Sequence, residues 1–210
     1  MAEPLQRGDG ERLERCLSDG GVAVFPTDTV YGVCCDPDSE AAARRLYALK
    51  GRAPRRACAV MYFALDDALH ALEELGGLER GALQALLPGP VTVLLRNPAQ
   101  RFSAACRTDR ESLGLRVPLL PAHLEALAAV GRPVMQSSAN RSGEPDARSL
   151  GEVPESLLAG ADLVLDGGEL PGIRSTVVDL RDFEAERRWH VLREGALARS
   201  AVDAALAGLA

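Results

Sequence analysis

Apolar residues come in short runs separated by polar turns, and the runs alternate between two periods. Positions 22–25 form an apolar run closed by Pro26, which reads as a buried strand. Before it, Asp9 stands as a candidate helix cap, with Leu13, Cys16 and Leu17 on one helical face and Gly20-Gly21 as the stop. Ser39 is placed to cap a second helix running to about Leu49. A strand is expected over 58–63, then helices over 66–75 and 78–87, then the hard turn Pro88-Gly89-Pro90. Strands follow at 91–95 and 113–117, a helix at 121–130 with Pro121 in its first turn, and a strand at 133–137. Further strands are expected at 163–165, 175–180 and 189–192, and a last amphipathic helix at 196–209.

Strands alternating with helices imply an α/β protein with a twisted, mostly mixed β-sheet and flanking helices. No repeat and no low-complexity linker divides the chain, so residues 1–210 are expected to form a single domain. Apolar residues make up 47% of the sequence but aromatics only 4%, so the core must be built mainly from Ala, Leu and Val. The formal net charge of −6 argues against DNA binding and against a long electrostatic footprint on RNA, because phosphate neutralisation needs basic surface. The five cysteines are odd in number and lack C-x-x-C spacing, so a disulfide framework or a zinc site is poorly supported. Cys34 and Cys35 are adjacent, so a strand would send them to opposite faces. The polar first ten residues carry no apolar signal segment, and no apolar run reaches membrane-spanning length. The expectation is a soluble, cytoplasmic protein without a membrane partner.

No phosphate loop of the G-x-x-x-x-G-K-[ST] type, no G-x-G-x-x-G, no H-E-x-x-H and no G-x-S-x-G occurs. The three histidines stand apart from one another. Chemistry is instead concentrated where apolar runs end in polar residues. Pro-Thr-Asp-Thr-Val-Tyr-Gly (26–32) delivers hydroxyls and an acid at a strand end, where open α/β sheets bind ligands, although the same residues cap ordinary turns. Lys50-Gly51-Arg52, with Arg55 and Arg56 close behind, fits an anion site or a cationic helix C-terminus. Arg116 sits inside the apolar run 113–117 and needs a carboxylate partner, from the protein or from a ligand. The stretch 136–143 is dense in small donors and acceptors, with Ser138 and Asn140 on one face.

Taken in order, six motifs resemble those of the YrdC-like family of threonylcarbamoyl-AMP synthases. They are Pro-Thr-Asp-Thr-Val-Tyr-Gly (26–32), Lys-Gly-Arg (50–52), Pro-Gly-Pro-Val-Thr (88–92), Leu-Arg-Val-Pro (115–118), Ser-Ala-Asn-Arg-Ser-Gly (138–143) and Ser-Thr-Val-Val-Asp (175–179). The resemblance runs from Val22 to Gly195 and implies a twisted sheet around a concave cavity. It implies a nucleotidyltransferase that makes threonylcarbamoyl-AMP and pyrophosphate from L-threonine, bicarbonate or CO2, and ATP, for threonylcarbamoyladenosine modification of tRNA. ATP is then a substrate, with Mg²⁺ on its phosphates and no metal ligands from the protein. Lys50, Arg52, Ser138 and Asn140 fall on the family's catalytic tetrad. Nucleotide contacts are implied for Arg52, Arg56, Ser112, Asn140, Arg148 and Arg193, and threonine contacts for Thr29, Lys50, Arg116, Ser138 and Ser175. Transient contact with tRNA, or with the complex that transfers the product to it, is also implied.

Departures from the family pattern are Ala57-Cys58 in place of Pro-Leu, Met61 in place of a polar residue, Ser137 in place of Pro, and Ala147-Arg148 in place of small hydroxyl residues. Two other readings are a non-catalytic paralogue that binds double-stranded RNA or tRNA, and a carbamoyl-adenylate domain serving another acceptor. The intact Lys-x-Arg and Ser-x-Asn positions favour the synthase over the first. The lack of acylphosphatase-like or zinc-finger segments disfavours the second.

Overall fold

A computed structural model describes residues 5–51, 53 and 56–209; Arg52 and Arg55, singled out above, lie outside the described residues. The strands are β1 (Ala23–Phe25), β2 (Gly32–Cys35), β3 (Ala59–Met61), β4 (Val91–Arg96), β5 (Ser112–Arg116), β6 (Val134–Ser138), β7 (Leu163–Val164), β8 (Thr176–Asp179) and β9 (His190–Arg193). They join into one sheet in the order β7-β1-β2-β6-β3-β5-β4-β8-β9. Pairings β1–β7, β3–β5 and β4–β8 are parallel and the rest antiparallel, so the sheet is mixed.

The helices are α1 (Arg7–Ser18), α2 (Glu40–Lys50), α3 (Leu65–Ala71), α4 (Gly77–Leu86), α5 (Ser103–Cys106), α6 (Glu155–Gly160), α7 (Phe183–Glu186) and α8 (Arg199–Leu206). Helix α1 starts earlier than Asp9, which is its third residue and caps the backbone of Gln6 from inside the first turn. Helix α2 matches its sequence signals. The Ser39 hydroxyl accepts from the Ala42 amide at 3.2 Å, and Gly51 turns the chain at φ +57°. The expected helix at 121–130 is instead a 3₁₀ helix, Ala122–Ala129. The last helix begins at Arg199, three residues after the expected start.

Strand alternation sorts residues onto two faces. Val91, Val93 and Leu95 of β4, and Leu113 and Leu115 of β5, enter the larger apolar cluster with α2, α4 and α8. Their neighbours Thr92, Leu94, Ser112, Gly114 and Arg116 face a hollow on the other side. Part of that second face is covered by a smaller cluster, in which Leu13 and Leu17 of α1 and Leu127 pack on Cys34, Met61 and Val134. Cys34 and Cys35 fall in different clusters, on opposite faces as expected. The sheet is therefore half covered on its second face, and the uncovered half is the cavity. Among the described residues, no helix is long and apolar enough to cross a membrane.

Helix α1 lies so close to the 3₁₀ helix that a Cβ built on Gly10 meets the Ala126 carbonyl oxygen at 2.5 Å. Gly10→Ala must push the two apart, and overpacking of this kind costs about 1–3 kcal/mol. Thermal unfolding should therefore start several degrees lower in the variant, since each kcal/mol moves Tm by about 2–4 °C at this size.

Candidate active site

The hollow has a volume of about 550 Å³. That is within the roughly 300–1,000 Å³ range of small-molecule and cofactor sites. Its walls come from residues far apart in sequence, brought together at the ends and cavity-side faces of β3, β4, β5, β6 and β8.

One wall is the end of α2. Lys50 is the last residue of that helix and is only 1% exposed. Its ammonium donates to the Ser138 carbonyl, to the Asn140 carbonyl at 2.8 Å and to Asn140 Oδ1 at 3.1 Å. Three protons meet three oxygens, so a buried charge is satisfied by the loop that leaves β6. Ser138 Oγ donates to Asn140 Oδ1 at 2.7 Å, and Asn140 Nδ2 donates to the Glu144 carbonyl at 2.6 Å. Lysine, serine and asparagine thus form one hydrogen-bonded unit on the cavity wall.

A second pole is Arg116 on β5. Its Nη2 donates to Asp28 Oδ1 at 2.8 Å and to Thr29 Oγ1 at 3.2 Å. Both ion-pair side chains are 4% exposed. Asp28 also accepts from the Leu119 amide at 3.1 Å. Burial pushes the Asp28 carboxyl up from its usual range, and the neighbouring guanidinium offsets only part of that rise. Burial works against the Arg116 charge as well, but a guanidinium does not give up its proton in a protein. The sequence left Arg116's partner open between protein and ligand; the protein supplies one, Asp28. Even so, Arg116 Nε is buried with no hydrogen-bond partner among the described residues.

A third pole joins β8 and β9. Arg193 donates from Nη2 to the Ser175 carbonyl at 2.8 Å, and Ser175 Oγ lies 2.8 Å from Thr92 Oγ1. Beside them Arg174 pairs with Asp146 at 2.8 Å. Gly195 makes this close approach possible, since a Cβ there would stand 2.2 Å from the Arg174 carbonyl.

The cavity thus brings together Lys50, Ser138, Asn140, Arg116 and Thr29, together with Ser175, Arg193, Ser112 and Arg56. Arg148 is not on its wall: it is half exposed and held by Glu152 and by Glu169, the latter at 2.5 Å. Tyr31, in the first motif, points away from the cavity and shares hydrogen bonds with Asp166 and the backbone of Gly167 and Gly168. Met61 is wholly buried in the smaller core cluster. Asp146 and Arg174 line the site without having been singled out, and Thr92 and Gln136, which lie in the stretches 88–92 and 136–143 named above, line it without having been given a role there. Alternation along β4, which sets Thr92 apart from Val91 and Val93, and along β6 back from Ser138 is the signal that would have found Thr92 and Gln136.

Residues 15–195 match the model of the Sua5/YciO/YrdC family, which carries the description telomere recombination, and the chain belongs to that family. A threonylcarbamoyl-AMP synthase of Chromohalobacter salexigens is 37% identical over 174 residues, covering 82% of this chain and 92% of the relative. Among solved structures, P. abyssi Sua5 complexed with L-threonine superposes with a TM-score of 0.81 at 25% identity over 97% of this chain, which spans only 58% of that longer protein. E. coli YciO, at 23% identity and a TM-score of 0.80 with 95% of both chains covered, shares the fold.

Proposed function

We propose that the chain is an L-threonylcarbamoyladenylate synthase: L-threonine, bicarbonate and ATP give threonylcarbamoyl-AMP, pyrophosphate and water. The observation that carries this reading is the meeting of a carboxylate-seeking pole, Arg116 with Thr29, and two cationic poles, at Lys50 and Arg193, around one cavity. Its support from relatives is the synthase of Chromohalobacter salexigens.

Threonine's carboxylate docks at Arg116, whose buried Nε still lacks an acceptor, with the Thr29 and Ser175 hydroxyls nearby. Its amine condenses with bicarbonate, releasing water, and forms a carbamate. A carbamate oxygen then attacks the α-phosphorus, the α–β phosphoanhydride bond breaks, and pyrophosphate leaves. Positive groups on both sides offset the charge that grows on the α-phosphate and the leaving group. Arg193, Arg56 and Ser112, which line the cavity, take the nucleotide in this reading, and Arg52 belongs to the same set by its motif. Lys50 holds Ser138 and Asn140 in position while lending its charge to the wall. Mg²⁺ arriving with ATP would offset the charge of the triphosphate, and Asp109 and Glu144 are acids on the wall that would hydrogen-bond to its waters. The product is passed on to tRNA modification.

The test is pyrophosphate release from ATP and bicarbonate with each amino acid in turn. Release should depend on threonine, with serine weaker by roughly 10-fold or more, the worth of one methyl group. Release that ignores the amino acid, or salt-sensitive tRNA binding with no release at all, contradicts the proposal.

A further inference from the structure

Arg174 is a cation on the cavity wall that the proposed reaction has not used. It stands one position before the Ser-Thr-Val-Val-Asp stretch and outside it. Its backbone is held in place: the carbonyl accepts from the Ala196 amide at 2.9 Å, where Gly195 lets the chain pass. Its side chain is half exposed and pairs at 2.8 Å with Asp146, whose own side chain is only 8% exposed. Among the described residues this carboxylate is the one ion-pair or hydrogen-bond partner of the Arg174 guanidinium. A guanidinium carries five N–H donors in a rigid fork, so most of them stay open.

Arg193 stands beside it and donates to the carbonyl of the next residue, Ser175. Burial, and then the like charge of Arg174, work against the Arg193 charge, and Asp146 offsets only part of this. Two cations this close repel each other, and an anion between them relieves the repulsion. Threonine's carboxylate belongs to Arg116 in the proposed reaction, so the anion left for this pair is the polyphosphate. Its terminal groups present many oxygens, which suit two forks side by side. A half-exposed position also suits a leaving group that must reach solvent.

We infer that Arg174 grips the β,γ-phosphate end of the nucleotide, the part that leaves as pyrophosphate, and that Asp146 is a positioning residue for it. The inference rests on the proposed use of ATP and adds an arginine that the sequence motifs did not supply. As the α–β bond breaks, the bridging oxygen keeps the electron pair and charge grows on the leaving group. Arg174 is placed to offset that charge. Asp146 keeps the fork from swinging into solvent, while adding one negative charge to the wall.

Arg174→Met removes the fork and keeps much of the stem. Arg12→Met, on α1 and outside the cavity wall, makes the same change in net charge. Calorimetric titration with inorganic tripolyphosphate and with AMP, which lacks the β and γ groups, supplies the readout. Arg174→Met should bind tripolyphosphate about 10- to 100-fold more weakly, with AMP affinity and KM for threonine within about twofold. Its kcat should fall as well, because the leaving group is less well stabilised. Arg12→Met should change neither affinity. Asp146 gives a test of opposite sign. Removing an acid from an anion site tightens binding if charge alone matters. Asp146→Ala should instead weaken tripolyphosphate binding by about 3- to 10-fold, and Asp146→Asn, which keeps an oxygen beside Arg174, should restore most of it. Unchanged tripolyphosphate affinity in Arg174→Met, or an equal loss in Arg12→Met, overturns the grip and leaves the synthase proposal standing if the unaltered protein still turns over threonine. Tighter binding in Asp146→Ala overturns the positioning role. An unaltered protein that binds neither ATP nor tripolyphosphate overturns both proposals.

Discussion

Lys50→Ala should lower kcat/KM for adenylate formation by at least about 10²–10³, the scale seen when one preorganised electrostatic donor is removed from an active site. The effect should be larger than that of any single wall residue, because Lys50 acts on two others. Its ammonium holds the Ser138 carbonyl and both oxygens of Asn140. Truncation removes the charge and leaves those acceptors buried without their donor, which costs about 1–3 kcal/mol. The loop after β6 then loses its side-chain anchor to α2 and keeps the backbone bond from the Ser142 amide to the carbonyl of residue 50, at 3.2 Å. Activity and stability must therefore be read together. Lys50→Met keeps most of the stem and its packing, so it should recover part of the lost Tm while activity stays low. A Lys50→Met enzyme with full turnover would mean that the charge is dispensable. Ser138→Ala should be milder, since Asn140 keeps its contacts to Lys50 and Glu144.

Asp28→Ala should destabilise the fold by about 3–5 kcal/mol, the cost of leaving a buried charge without its partner. At about 2–4 °C per kcal/mol, Tm should fall by roughly 6–20 °C. Adding Arg116→Met should restore much of that loss, because the stranded guanidinium goes with it. Asp28→Asn should cost less than Asp28→Ala, since its single amide oxygen can accept from Arg116 Nη2 or from the Leu119 amide, though not from both. The pH dependence has a definite sign. The folded carboxyl titrates above its unfolded value, so the native state holds the extra proton between the two. The Asp28 contribution is thus full below about pH 3.9, the unfolded value, and falls as pH rises through the folded value. Denaturant unfolding at several pH values should show the advantage of the unaltered protein over Asp28→Asn shrinking across that window. An advantage that grows instead would mean that the ion pair outweighs the burial of its charges.

Much of this arrangement was legible in the sequence where local rules decide. Ser39 and Gly51 set both ends of α2, and so set where Lys50 stands. The alternation Ser112-Leu113-Gly114-Leu115-Arg116 sorted one face to the core and one to the cavity. The order of the six motifs carried the chemistry that no single motif could.

What stayed hidden depends on distance or on burial. Strand β2 is buried on both faces, so it has no alternating pattern, and the polar run before it reads as a loop. The expected helix at 121–130 has apolar residues suited to an α-helix, yet close packing against α1 accompanies the tighter 3₁₀ form. Asp28 and Arg116 are 88 positions apart, so only the fold could show that one answers the other. Arg148 lies near the motifs in sequence, but Glu152 and Glu169 hold its guanidinium away from the cavity wall. Arg174 gave no signal until its pairing with Asp146 placed it beside Arg193.

The central claim is that one hollow holds ATP and an amino acid together so that a carbon from bicarbonate comes to bridge them. Incubation with [α-³²P]ATP, [¹⁴C]bicarbonate and L-threonine, followed by rapid separation of the products, tests it most directly. Both labels should travel in a single species that forms only when threonine is present and fades after Lys50→Ala. Labels that never coincide, or that coincide without threonine, would contradict the account.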